Sequence, residues 1–148
     1  MQKAKGWQAI LVGGGIAGAL DITYAIVRSV VLGSTAQLLL QSVASGWLGR
    51  AAFTGGWPAA VLGLAQHFMN ALLIATVYYA ASRKLALLTQ RAALCGLLYG
   101  ATAYLVMSKV VVPLSAAPFV IPLRVVDLAM HMVFIGLPIA LAVRRFSV

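Results

Sequence analysis

The chain has 148 residues, of which 63% are hydrophobic and only 9% are charged, and its formal net charge is +9. A soluble domain usually has about a quarter of its residues charged, so this chain lacks the polar surface that a water-soluble globule needs. Its eleven Lys and Arg residues are scattered between long apolar runs. This pattern is typical of membrane topology signals and argues against a nucleic-acid-binding protein. The sequence therefore predicts a single all-α integral membrane domain with the lipid bilayer as its main partner.

Four apolar runs are long enough to cross the hydrocarbon core of a bilayer, which takes roughly 20 residues. They predict a four-helix bundle with helices at about 8–32, 58–81, 92–112 and 120–143. The first run could also be a signal peptide, because Ala17-Gly18-Ala19 resembles a cleavage site. The run continues well past that site, so a membrane span is the better interpretation. Pro122 is expected near the start of the fourth helix, and Pro138 predicts a kink inside it.

The Lys and Arg residues near the helix ends divide unequally between the two sides of the membrane. Seven fall on the side of the termini: Lys3, Lys5, Arg83, Lys84, Arg91, Arg144 and Arg145. Four fall on the opposite side: Arg28, Arg50, Lys109 and Arg124. Because cytoplasmic loops carry the excess of positive charge, both termini are predicted to lie in the cytoplasm of a bacterial cell with the protein in its inner membrane.

The connection formed by residues 33–57 is too long and too apolar to be a plain loop. Ser34, Gln37, Gln41 and Ser45 recur in it at helical spacing, which predicts an additional short helix at about 34–50. The polar stripe favours an amphipathic helix on the outer surface. A re-entrant half-helix that lines a cavity is the alternative.

No catalytic motif is recognisable in the sequence. Gly13, Gly15 and Gly18 match the spacing of the dinucleotide-binding fingerprint. However, they lie within one membrane-length run and lack the strand and the downstream acid that the fingerprint requires. These glycines, like Gly96 and Gly100, are better explained by helix packing. The serines show no recognisable spacing to a histidine and an acid, so the sequence does not favour an enzyme.

Ionisable residues inside the predicted spans are the main functional candidates, since a charge at the centre of a bilayer costs roughly 3 kcal/mol or more. The only two acidic residues, Asp21 and Asp127, both lie in such spans. His67 and His131 each follow a proline by nine residues, or about 13 Å of helix, and Asp21 lies at a similar depth. We therefore expect one outward-facing polar site with these members: Asp21, Arg28, His67, Asn70, Lys109, Arg124, Asp127 and His131.

Within this site, helical spacing predicts that Arg28 is the charge partner of Asp21 and that Arg124 is the charge partner of Asp127. The favoured function is transport of an ion, a proton or a small solute. A homo-oligomer is expected, because four helices leave little room for a pore. One alternative is a membrane redox protein that binds haem through His67 and His131, or a divalent metal through Asp21 and both histidines. Another is a non-catalytic subunit in which the charged pairs only hold helices together.

Several short motifs resemble the uncharacterised bacterial inner-membrane proteins of the YagU-like family. They are Gly15-Ile16-Ala17-Gly18 with Asp21, His67-Phe68-Met69-Asn70, Pro113-Leu114, Asp127-Leu128-Ala129-Met130-His131 and Arg144-Arg145. The resemblance implies an inner-membrane location and no defined activity. It singles out five positions: Asp21, His67, Asn70, Asp127 and His131.

Overall fold

All regular structure is helical in the computed structural model, which describes residues 3–147 and the side chains of residues 6–146. The helices are α1 (Lys3–Val31), α2 (Ala36–Leu48), α3 (Gly56–Ser82), a short α4 (Leu87–Gln90), α5 (Ala92–Val106, continued by a π turn at Met107–Val111 and by Val112–Leu114) and α6 (Val125–His131, a π turn at Met132–Gly136, and Leu137–Ser147). A 3-10 helix, Gly49–Thr54, joins α2 to α3. Four helices, α1, α3, α5 and α6, are long and apolar enough to cross a membrane. The predicted all-α class with four membrane-length helices is therefore confirmed.

The turn between α1 and α2 is fixed by backbone geometry and by a side-chain cap. Gly33 adopts a φ of 86°, and the Ser34 N–H donates to the Ser29 carbonyl (2.9 Å), as in a Schellman motif. The Thr35 side-chain oxygen then accepts the Leu38 N–H (3.1 Å) and caps α2. The chain therefore reverses at once into α2.

The start of α6 differs from the prediction. This helix begins at Val125 and not near Pro122, because the preceding segment is held extended. The Tyr104 hydroxyl of α5 donates to the Pro122 carbonyl (3.2 Å) and accepts the Arg124 N–H (3.1 Å). Arg124 has a φ of −125° and a ψ of 128°, which are extended values. The contacts of the Tyr104 hydroxyl thus place the start of α6 at Val125.

The four long helices form an incompletely closed bundle. Helix α1 packs between α3 and α6, and α5 packs against α6. Within the described residues, α3 and α5 hardly approach each other along their backbones. They are joined instead by Tyr99, whose hydroxyl donates to the Ile74 carbonyl (2.7 Å) and whose ring lies edge-on to Tyr78 with centroids 4.9 Å apart. A gap between α3 and α5 remains beyond this bridge.

Glycines allow two helix pairs to touch through their backbones. A Cβ at Gly136 of α6 would collide with the Gly96 carbonyl of α5, and a Cβ at Gly63 of α3 would collide with the Leu40 carbonyl of α2. Small residues of this kind let membrane helices approach closely. The contact at Gly63 fastens α2 to the N-terminal half of α3.

Both π turns end shortly before a proline. One ends at Val111, two residues before Pro113, and the other ends at Gly136, two residues before Pro138. A proline has no N–H, and its ring crowds the carbonyl four residues earlier. That carbonyl lies within the π turn in each case, where the wider helix relieves the crowding. The irregularity that Pro138 predicts is thus a π turn at Met132–Gly136.

Helix α2 turns its polar residues towards the protein and apolar residues outwards. Gln41 and Ser45 are buried, and the Gln41 side-chain amide donates to the Gly56 carbonyl (3.3 Å). Leu38 and Trp47 are 45% and 53% exposed. A helix lying on the surface with its polar face in water would have the opposite orientation. The structure therefore does not show the orientation of a surface helix, which the polar stripe predicts for α2.

Candidate functional site

Four of the eight polar residues of the predicted site, Asp21, Arg28, Asp127 and His131, meet where α1 and α6 run antiparallel. The Asp21 carboxylate lies 3.7 Å from Nδ1 of His131. One turn further along, Asp127 Oδ1 lies 3.5 Å from Nε of Arg28 and accepts a hydrogen bond from the Tyr24 hydroxyl (3.0 Å). These five residues, Asp21, Tyr24, Arg28, Asp127 and His131, are called the α1–α6 cluster below.

The charged pairs cross between helices, whereas local spacing predicted pairs within one helix. Arg28 binds Asp127 of α6 and not Asp21 of its own helix. Arg124 is exposed and forms no ion pair with Asp127 among the described residues. The cause is the extended conformation of Arg124, because the three-residue spacing places two side chains on one face only when both belong to the helix.

Lys109 also lies outside the site. It is exposed, and it lines neither of the two cavities described below. The buried residue at this level of α5 is its neighbour Ser108. Adjacent residues of a helix point in different directions, so Lys109 faces away from the cluster.

Each histidine donates one ring N–H to a main-chain carbonyl. Nε2 of His67 donates to the Gly18 carbonyl (2.9 Å), and Nδ1 of His131 donates to the Asp127 carbonyl (2.9 Å). A carbonyl oxygen only accepts, so these nitrogens carry the hydrogens. In the neutral rings, Nδ1 of His67 and Nε2 of His131 are therefore acceptors.

Two cavities meet at the Asp21–His131 pair. The first, called the α3 cavity, has about 280 Å³ and lies in the gap between α3 and α5; its polar lining includes Gln66, His67 and Asn70. The second, called the α1 cavity, has about 440 Å³ and is lined by the remaining members of the α1–α6 cluster. Asp21 and His131 line both cavities. A charge held by this pair is thus accessible from both.

Gln66 is a site residue that the sequence analysis missed. Its side chain is buried, with 7% exposure, and its Oε1 atom has no hydrogen-bond partner in the described part of the chain. Gln66 and Asn70 are four residues apart, hence on one helix face, and both line the α3 cavity. The four-residue spacing is visible in the sequence, but an uncharged amide inside a membrane span is a weaker signal of a site than an acid.

The α1–α6 cluster lacks one positive charge. With both carboxylates ionised and the histidines neutral, Asp21 and Asp127 contribute two negative charges, and Arg28 contributes one positive charge. A net negative charge inside an apolar bundle is unfavourable. One positive charge, carried by a proton or by a bound cation, would neutralise the cluster.

The geometry does not favour the metal or haem alternatives. Within the described residues, no group of three or more His, Cys, Asp or Glu side chains could hold a metal ion. Asp21, His67 and His131 thus do not form the two-His-one-carboxylate set that the sequence suggests. Both histidines line the α3 cavity, but its volume of about 280 Å³ is below the roughly 300–1,000 Å³ of typical ligand pockets, which does not favour a group as large as haem.

Comparisons of the chain with protein-family models, with curated proteins and with solved structures find no match. Membership of the YagU-like family therefore stays a prediction, and the function has to be argued from the geometry of the site.

Proposed function

We propose that this chain is a multipass inner-membrane transport protein whose outward-facing Asp/His site takes up one positive charge, either a proton or a small cation. The main supporting observation is that a cluster with two carboxylates and one arginine meets two cavities at one pair, Asp21 and His131. Ionisable groups inside membrane helices commonly mark such pathways.

Proton and cation compete for the same carboxylate in this mechanism. The His131 ring and the Asp21 carboxylate lie 3.7 Å apart, so one proton added to this pair neutralises the charge of the cluster. A cation entering from either cavity can take the place of that proton. Because only one positive charge is needed, uptake of one favours release of the other.

Helix α2 belongs within the membrane in this proposal, as part of a re-entrant segment. Its outward residues Leu38 and Trp47 are apolar, and its buried face carries Gln41 and Ser45, an arrangement suited to lipid outside and protein inside. It also lines the α3 cavity through Ser42. It therefore forms one wall of the site.

Orientation, location and assembly extend the proposal. The seven-to-four excess of Lys and Arg favours cytoplasmic termini, which makes the end with the cavities the outer end. The resemblance to the YagU-like family favours the inner membrane. The described cavities are small and are lined partly by residues of the outer connections, such as Ser34 and Phe119, so the proposed transport calls for a homo-oligomer.

Proteoliposomes provide the test. Vesicles that contain a pH-sensitive dye would be placed under gradients of Na⁺, K⁺ or H⁺, with and without a membrane potential. We expect proton movement above that of protein-free vesicles. Asp21→Asn should slow it by at least about tenfold, which corresponds to about 1.4 kcal/mol in the barrier. Lys109→Gln is the matched control and should change the rate little, since Lys109 lines neither cavity.

A structural role for the same charged pairs makes a different prediction. If they only hold helices together, Asp21→Asn lowers stability in detergent, and wild-type vesicles behave like protein-free ones under every gradient. That result would contradict transport and favour a non-catalytic membrane subunit.

A further inference from the structure

We infer that the cation bound at this site is a small organic ammonium with an apolar body, held in the α3 cavity with its charged end facing Gln66, His67 and Asp21. This inference rests on the proposed function and specifies its ligand class. It follows from three properties of the cavity: an unpaired buried acceptor, a lining with several acceptors, and otherwise apolar walls.

The unpaired acceptor is Oε1 of Gln66. This atom has no hydrogen-bond partner among the described residues, and Gln66 is only 7% exposed to solvent. Leaving a buried carbonyl oxygen unpaired costs folding free energy, and native structures contain few such groups. A ligand N–H in the α3 cavity would satisfy this atom.

The neighbouring polar groups also accept hydrogen bonds. Nδ1 of His67 and Nε2 of His131 are acceptors, because the other nitrogen of each ring donates to a helix carbonyl. Asp21 adds a carboxylate, which only accepts when ionised. Several acceptors around one space favour a ligand with several donors and a positive charge. An ammonium group has three N–H donors and no acceptor.

The remaining walls of the α3 cavity are apolar. They include Ala71, Ile74, Val111, Phe119 and Ile135. Such walls suit an alkyl chain or a small ring and do not suit a hydrated inorganic ion. A bare metal ion is disfavoured as well, because no cluster of three metal-ligating side chains occurs in the described residues. A volume of about 280 Å³ is large enough for a small organic body, since a cavity of about 150 Å³ already holds a benzene ring.

Binding can be measured by calorimetry on the purified full chain in detergent, with n-butylammonium as the probe. Butyrate, of opposite charge, and 1-butanol, which is neutral, are the ligand controls. We expect saturable binding of butylammonium, at least tenfold weaker binding of butanol, and none of butyrate. Equal binding of butylammonium and butanol would overturn the inference, because it would show that the cavity selects only apolar bulk.

The Gln66→Leu variant provides a sharper test. Removing an unpaired amide should raise the melting temperature of the empty protein, and it should weaken butylammonium binding at least tenfold. Gln90→Leu is the matched control, because Gln90 is exposed on the short α4, and it should leave butylammonium affinity unchanged. Gln66→Glu preserves the side-chain length, adds a carboxylate and should tighten binding, which keeps the inference testable if the leucine variant folds poorly.

The outcomes separate the ligand class from the function. The ammonium inference is wrong if wild-type protein does not bind butylammonium. It is also wrong if both Gln66 variants bind butylammonium with the same affinity as the wild type. Asp21-dependent proton movement in vesicles would then leave the proposed function intact. If butylammonium binds as expected but drives no proton movement in vesicles, the binding site stands and transport is contradicted.

Discussion

Asp127→Asn should destabilise the protein chiefly by removing the partner of Arg28 on the neighbouring helix. The Arg28 Nε and Asp127 Oδ1 atoms are 3.5 Å apart, and the two side chains are 34% and 17% exposed. The Tyr24 hydroxyl, which donates to Asp127 Oδ1 (3.0 Å), can still donate to the amide oxygen of asparagine. The change therefore removes a charge and preserves one hydrogen bond.

The expected interaction energy is about 1 kcal/mol. Hydrogen bonds to charged groups contribute about 1.5–3 kcal/mol, but interhelical polar contacts measured in a membrane protein average about 0.6 kcal/mol and reach about 1.7. Arg28 is one-third exposed, so solvent weakens the pair further. A value of about 1 kcal/mol changes the ratio of folded to unfolded protein about fivefold.

A double-mutant cycle measures this energy directly. Unfolding by SDS titration in detergent would be followed for Asp127→Asn, Arg28→Gln and the double variant. The matched cycle replaces Arg28→Gln by Arg124→Gln and should give an interaction energy near zero, because Arg124 is exposed and outside the helix. Interaction in the Arg124 cycle and none in the Arg28 cycle would refute the crossed pairing.

Two further predictions concern packing and topology. Gly63→Ala should lower the free energy of unfolding by about 1–3 kcal/mol, because the new Cβ collides with the Leu40 carbonyl. At Gly15 an added Cβ meets open space, so Gly15→Ala should change the free energy of unfolding by no more than about 0.5 kcal/mol. Equal losses of stability in the two variants, measured in detergent, would contradict the α2–α3 contact. Reporter fusions at the two termini should both register cytoplasmic, and an external C-terminus would show that the orientation derived from the Lys and Arg excess is wrong.

Hydropathy was sufficient to predict the helical class and the four long helices, because burying a chain in lipid requires long, predominantly apolar segments whose backbone hydrogen bonds are internal. It could not predict where α6 begins. That boundary depends on the Tyr104 hydroxyl, which contacts Pro122 and Arg124 from another helix. The exact extent of the π turns was equally out of reach, although Pro113 and Pro138 mark their neighbourhood.

The site was partly predictable for a similar reason. The cost of isolated charges in lipid drives Asp21 and Asp127 towards polar partners, and depth along the helices brought His131 to the level of Asp21. Local spacing then predicted the wrong arginine as the partner of Asp127, because Arg124 lies outside the helix. Gln66 was missed because nothing in a sequence distinguishes a paired amide from an unpaired one.

The attachment of α2 to Gly63 has a consequence for the biosynthesis of the protein. With 13 residues, α2 is about 20 Å long, too short to cross a hydrocarbon core of about 30 Å and enter the bilayer as an independent span. Most of its contacts are with α3, which leaves the ribosome later, and fewer are with α1. A nascent chain that ends before α3 therefore lacks most of the surface to which α2 binds. The wall of the α3 cavity forms only once the second membrane span has been inserted.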